Sequence, residues 1–221
     1  MMISRGVYFD DIHSFYDLNL LLSAVEISPA KPKTTYIDIP GADGFLDLTE
    51  ANGEVRFSDR SLKFTFSMNP MSDLSESAWV EKMSEICNKL AGKRCKITLD
   101  KDPDYYWEGR VSVDSFKSNK RIRQFVVSAK VMPYKMKKEL TVVTFDLEPG
   151  SMTYILKNAR RSVCPEIETF SATTDIVFAG NTFTFGKGTH KSLDIRLTEG
   201  ENALIMSGTG KVTFTYQEAD L

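Results

Sequence analysis

Trp79, Met83, Ile86, Cys87 and Leu90 recur at the spacing of one helical face, and no other stretch of the chain carries such a stripe convincingly. The pattern predicts a helix over 74–91. Asp73, followed three residues on by Glu76, resembles a capping box at its start, and Gly92 suits a left-handed stop at its end. Elsewhere the apolar positions alternate, which is the period of strands. Before the helix this alternation predicts strands over 18–27, 34–39 and 60–68, with turns at 41–44 and at Asn52-Gly53. After it come a strand over 95–99, a turn through Asp100-Lys101-Asp102-Pro103-Asp104, and a strand over 105–114. In that last strand Tyr105, Trp107, Val111 and Val113 share one face, while Tyr106, Glu108, Arg110 and Ser112 share the other. Ser118-Asn119 then reverses the chain into a strand over 122–131. The hairpin so formed has arms of about nine residues, against a usual ~5–6. It is expected to project from its domain and to offer free edges to another subunit.

No second helix exists to receive the apolar stripe, so the helix is expected to lie on a sheet. From Leu140 onward the pattern is strands alone, over 140–146, 165–170, 175–178, 182–185, 192–197, 202–207 and 211–216. Breakers such as Ala179-Gly180-Asn181, Glu199-Gly200-Glu201 and Gly208-Thr209-Gly210 separate several of them, which predicts a small antiparallel sandwich. The proline and basic residues of Met132-Pro133-Tyr134-Lys135-Met136-Lys137-Lys138 read as a linker. The expected fold is mainly β. A β-rich, barrel-like domain over 1–138 carries one helix and the long hairpin, and an antiparallel β-sandwich occupies 139–221.

Composition narrows the function classes. Hydrophobic residues make up 42% and charged residues 26% of the 221, too apolar for disorder and ordinary for a globular chain. A formal net charge of −2 provides no overall field to attract nucleic acid or an anionic surface. The longest apolar run, Leu20-Leu21-Leu22, falls far short of the ~18 residues needed to cross a bilayer, and no secretory leader is expected. Cys87, Cys95 and Cys164 are an odd count without CxxC spacing, so they read as small buried hydrophobes in a reducing cytosol.

The motifs that invite chemistry dissolve on inspection. Asp100-x-Asp102-x-Asp104 begins like a calcium loop, but Tyr105 and Val111 stand where that loop needs glycine and glutamate. Gly186-Lys187-Gly188-Thr189-His190 and Gly208-Thr209-Gly210-Lys211 lack phosphate-loop spacing and a following helix, and read as hairpin turns. His13 and His190, the only histidines, have no partner at zinc-ligand spacing, and no strand–GxSxG–helix context is present. No catalytic residue, metal or cofactor is expected. Basic residues gather at Lys117, Lys120, Arg121 and Arg123 and again at Lys130, Lys135, Lys137 and Lys138, as on a solvated hairpin tip or a surface facing an acidic neighbour. Within Tyr105-Tyr106-Trp107 the alternation points Tyr106 outward, where a rigid amphipathic ring suits an interface. Tyr106, Arg110, Arg121 and Arg123 are therefore the candidate inter-subunit contacts. Pro40, Gly41, Gly44, Gly92 and Pro103 are the candidate structural turns.

An ordered set of segments resembles the distal tail (Dit) proteins of long-tailed bacteriophages. They are Tyr-Ile-Asp-Ile-Pro-Gly-Ala-Asp-Gly-Phe-Leu-Asp-Leu-Thr-Glu over 36–50, residues 60–66, Leu90-Ala91-Gly92, and 96–113 with its Asp-Pro-Asp-Tyr-Tyr-Trp-Glu-Gly-Arg. Looser matches follow at Pro165-Glu166-Ile167 and at Leu197-x-x-Gly200-x-Asn202-x-Leu204-x-Met206-x-Gly208-x-Gly210. The resemblance implies a structural virion protein, assembled in the host cytoplasm. Its N-terminal domain would build a hexameric ring, and its C-terminal domain would be a galectin-like sandwich on the outside. It further implies a tail-tube protein on one side, a tail-associated baseplate protein on the other, and DNA passing through the channel unread. The compact second domain leaves no room for an inserted carbohydrate module, which favours architecture over receptor recognition. A carbohydrate-binding module and, behind it, a cell-wall hydrolase remain the alternatives at this stage.

Overall fold

The computed structural model describes residues 6–51, 53–68, 75–118 and 123–221. The chain divides into two compact units, Met1–Lys135 and Met136–Leu221.

The first unit contains β1 (Val7–Phe9), β2 (Ile12–His13), β3 (Leu20–Ile27), β4 (Tyr36–Asp38), β5 (Phe45–Asp47), β6 (Arg60–Met68), α1 (Glu76–Leu90), β7 (Arg94–Leu99), β8 (Asp102–Ser118) and β9 (Arg123–Val131). Antiparallel pairing runs in the order β2-β1-β7-β8-β9-β6-β3. The sheet coils on itself. Phe9 of β1, near one end of that order, meets Phe64 and Phe66 of β6, near the other, at ring-centroid distances of 5.8 and 6.4 Å. Bulges at Leu22/Ala24, Ile97/Leu99 and Val113/Ser115 add to the natural right-handed twist and bring the ends round.

Helix α1 closes this core with the expected stripe. Trp79, Ile86 and Leu90 are buried and Met83 packs against them. Its N-cap is Ser75, whose Oγ accepts the Ala78 N–H at 3.3 Å. The expected cap Asp73 and start Leu74 lie outside the described residues. Glu85 bridges Lys82 and Lys89 at 2.5 and 2.7 Å along a half-buried flank of the helix. Gly92 takes φ +76, and its N–H donates to the Val111 carbonyl at 2.9 Å, turning the chain from helix into β7.

Two features of the hairpin differ from expectation. Pro103 is the second residue of β8 and not part of the turn, which is the pair Asp100-Lys101 between Leu99 and its partner Asp102. The register then jumps to Ile97↔Trp107, so Pro103 sits in a bulged stretch where its missing N–H costs no ladder bond. The hairpin also does not stand clear of the sheet. β9 pairs along its length with β8 on one side and β6 on the other, and β8 pairs with β7 at Asp102 and again from Trp107 to Arg110. The predicted reversal at Asn119 and the strand start at Ile122 fall outside the described residues.

β10 (Lys135–Lys137) leads into the second unit. There follow β11 (Thr141–Leu147), β12 (Ser151–Asn158), β13 (Glu166–Thr169), β14 (Thr174–Phe178), β15 (Asn181–Phe185), β16 (Gly188–Lys191), β17 (Gly200–Gly208), β18 (Gly210–Tyr216) and β19 (Ala219–Asp220). Two antiparallel sheets, β11-β18-β13-β16 and β12-β17-β14-β15, enclose one core. Ile167, Val212 and Phe214 enter it from the first sheet, and Leu156, Ile176, Leu204 and Met206 from the second. Tyr216 donates its hydroxyl to the Lys157 carbonyl at 2.5 Å, and burial raises its pKa above the ordinary phenol value. Strand β12 was not expected, because Tyr154-Ile155-Leu156 is apolar on both faces and hides the alternation. The predicted strand 192–197 is instead irregular, and β16 replaces it. Ile195 and Leu197 are nonetheless fully buried, held by two backbone bonds between Leu197 and Val163.

Ala179-Gly180 is the two-residue loop between β14 and β15, with φ of +47 and +81. Two consecutive positive φ values define a type I′ turn, where asparagine is favoured ahead of glycine and alanine is strained. Ala179→Asn should therefore stabilise the unit by about 0.5–1 kcal/mol. Slower amide exchange across β14 and β15 would register the gain; unchanged or faster exchange would contradict it.

Candidate assembly surfaces

Between β3 and β6 the chain leaves the core as an arm. Its root is clamped by Lys33 N–H to the Arg56 carbonyl at 2.7 Å and Ser58 N–H to the Lys31 carbonyl at 2.8 Å. The arm is the two-stranded ribbon β4–β5, in the register Tyr36↔Asp47, Ile37↔Leu46 and Asp38↔Phe45. At its tip the Ala42 N–H reaches the Ile39 carbonyl at 3.1 Å, with Pro40 first and Gly41 at φ +83 second, which is a type II turn. Gly44, at φ +79, completes the reversal.

The arm's side chains are the unusual part. Tyr36, Ile37, Ile39, Phe45 and Leu46 are each 46–59% exposed, so the ribbon carries apolar groups into water on both faces. Only Tyr36 and Phe45 shelter one another, with ring centroids 4.3 Å apart. A two-stranded ribbon is marginal alone in water, and contiguous exposed apolar surface marks an interaction site. The arm also carries Asp38, Asp43, Asp47, Glu50 and Glu54, with no lysine or arginine between Lys33 and Arg56. Bonds from the Thr49 hydroxyl and N–H hold the Asp47 carboxyl below its ordinary pKa, so it stays charged. The sequence had shown a strand and a turn here. It did not separate this ribbon from core strands, although adjacent apolar pairs at 36/37 and 45/46 were the available signal.

The hairpin candidates are distributed differently from expectation. Tyr106 is only 9% exposed although it stays outside the core cluster that takes in its neighbour Trp107: it shares the face of Glu108 and Lys96, and the Lys96 Nζ lies 4.9 Å above its ring. Arg110 is exposed and donates to the Gly92 carbonyl at 2.6 Å. Arg123 is largely consumed within the unit. It meets Glu76 at 2.9 Å, Ser118 Oγ at 3.0 Å and the Trp79 ring at 5.3 Å, tying the hairpin to the start of α1. Arg121 lies outside the described residues.

Chemistry finds little purchase elsewhere. His13 is buried, its Nε2 is 3.2 Å from Asp100 Oδ1, and its Nδ1 accepts the N–H groups of Phe15 and Tyr16 at 3.2 and 3.1 Å. Asp100 also accepts the Gly6 N–H at 2.7 Å. Both ring nitrogens are thus occupied, which makes the pair a clasp for the N-terminal strands and not a general base. His190 bonds the Gly186 carbonyl at 2.7 Å. Burial, followed by the nearby Asp10 carboxylate, pushes the Cys95 thiol up to about 11, so it is not a nucleophile. Iodoacetamide should modify half-exposed Cys87 and Cys164 while leaving Cys95 intact until the protein unfolds, as peptide mass mapping would read. Among the described residues no group of three or more His, Cys, Asp or Glu is placed to hold a metal, and no helix is long and apolar enough to cross a membrane.

No family model and no curated protein matches the chain. Among solved structures it superimposes on the crystal structure of the SPP1 Dit protein, a paradigm of the hub adsorption apparatus in phages infecting Gram-positive hosts. The TM-score is 0.66 over 96% of this chain and 98% of that one, at 13% identity. The fold is that of the SPP1 Dit protein. Because coverage is nearly complete on both sides, the Dit fold accounts for both units and not for one alone. The phage P2 baseplate in its activated conformation is similar at a lower level. Its calcium form gives TM-score 0.42 at 8% identity, and its strontium form 0.42 at 7%, each covering 97% of this chain and 98% of that one.

Proposed function

We propose that this chain is a distal tail protein of a long-tailed bacteriophage or prophage, a structural hub that joins the tail tube to the adsorption apparatus. The observation that carries this reading is the end-to-end correspondence with SPP1 Dit, 96% of one chain on 98% of the other. The arm supports it independently, since a monomer gains nothing from apolar side chains held in water on both faces of a ribbon. In this reading the first unit forms a hexameric ring through head-to-tail contacts that close around an axis. The tail-tube protein would lie on one side and the tail-associated baseplate protein on the other, with DNA passing through the channel unread. The protein acts as a scaffold in the virion and catalyses nothing.

Concentrated protein should give ring-sized particles in light scattering and negative-stain images. A molecule that stays monomeric and also fails to bind its tail-tube protein would end this reading.

A further inference from the structure

The solvent face of the first unit's sheet carries a cross-strand row of like charges. Arg94 on β7 pairs directly with Arg110 on β8, and Arg110 pairs directly with Lys130 on β9. Like charges placed directly opposite destabilise a sheet. Here they are offset only in part, by Glu108 at 2.8 Å from Arg94 and by Asp59 at 3.7 Å from Lys130. The Arg110 guanidinium, between them, bonds a backbone carbonyl and no carboxylate among the described residues. Around the row stand small hydroxyl residues, Ser61 beside Lys130, and Ser112 opposite Ser128 in the next register position.

We propose that this cationic row receives the arm of a second copy of the same chain. The inference rests on the ring reading above and adds the surface at which the copies meet. Charge complementarity on the molecule itself identifies the occupant. Asp38, Asp43 and Glu50 of the arm make no ion pair among the described residues, and the row supplies cations without full partners. The apolar content of the arm fits as well. Arginine and lysine stems offer apolar surface beneath their charged heads, and guanidinium planes stack on rings such as Tyr36 and Phe45. Nucleic acid is the competing anion. It leaves the arm's apolar groups uncovered, and a chain of net charge −2 has no field to draw it in.

The test is a charge swap in the full chain. Asp38→Lys, Asp43→Lys and Glu50→Lys reverse the arm; Arg110→Glu and Lys130→Glu reverse the row. All five positions are exposed, and circular dichroism is to check that each variant folds before association is compared. Association is read by light scattering, with the tail-tube protein added should the wild type alone stay monomeric. Each variant should associate at least about tenfold more weakly than wild type, and an equimolar mixture of the two should recover assembly, since reversed arm meets reversed row. Wild type that assembles while both variants assemble equally well overturns this inference and leaves the ring reading intact. So does unaltered assembly by the row variant together with loss of duplex-DNA retention, which assigns the row to nucleic acid. Wild type that neither assembles nor binds the tube protein removes the ring reading itself.

Discussion

Phe125→Ala should cost the first unit roughly 3–5 kcal/mol, a large share of the ~5–15 kcal/mol that holds a typical domain together. Phe125 is fully buried on β9, directly between Phe66 of β6 and Phe116 of β8. Its ring lies 4.7 Å from Trp79 and 5.5 Å from Phe116, so it joins α1 to three strands at once. Truncation leaves a cavity that rigid strands cannot collapse, and the transfer and cavity penalties add. Both tryptophans of the chain, Trp79 and Trp107, belong to this unit, so their fluorescence reports it selectively. The urea midpoint followed by that fluorescence should fall sharply, and the native emission should shift as Trp79 loses its neighbour. A loss below about 1 kcal/mol would mean that the junction is loosely packed.

Gly109→Ala should be comparably damaging for a different reason. Gly109 lies in register between Cys95 and Val131, and a Cβ there would stand 2.1 Å from the Lys130 carbonyl oxygen and 2.6 Å from Val131 Cα. No rotamer relieves a clash with backbone, so β8 and β9 must part and ladder bonds stretch. Overpacking of this kind costs typically about 1–3 kcal/mol and more where nothing can give. Gly41→Ala is the control. Its Cβ would meet open space, and only the φ of +83 is penalised, about 1–2 kcal/mol. Parallel denaturation curves should place Gly109→Ala as the more destabilised of the two; the reverse order would refute the close-approach argument.

Much of this architecture was legible along the chain because single periods dominate it. The stripe from Trp79 to Leu90 and the alternation of Phe125, Val127, Ala129 and Val131 each have one buried face, and the structure buries that face. Legibility failed where a local exception breaks the period or where apolar residues occupy both faces. Tyr106 was assigned outward by simple alternation and keeps that face, but alternation does not tell that Lys96 lies over its ring and that the ring is only 9% exposed. Strand β16 contributes no aliphatic side chain, so Gly188-Thr189-His190-Lys191 looked like a turn although it pairs with β13 residue for residue. The arm was hidden for the opposite reason. Its apolar residues resemble core, and nothing in their order states that the core is elsewhere.

The bulge at Asp114 has a wider bearing. Val113 faces Val127, yet Ser115 faces Val126, so one additional residue separates two stretches of β8 that are out of phase. Phe116 reaches the interior only because of that extra residue. Removing one amino acid there would exchange inside for outside along the last turns of the ladder, just as inserting one would upstream. Length through this segment is thus constrained as firmly as identity, and related chains should tolerate replacements at Asp114 far more readily than gaps.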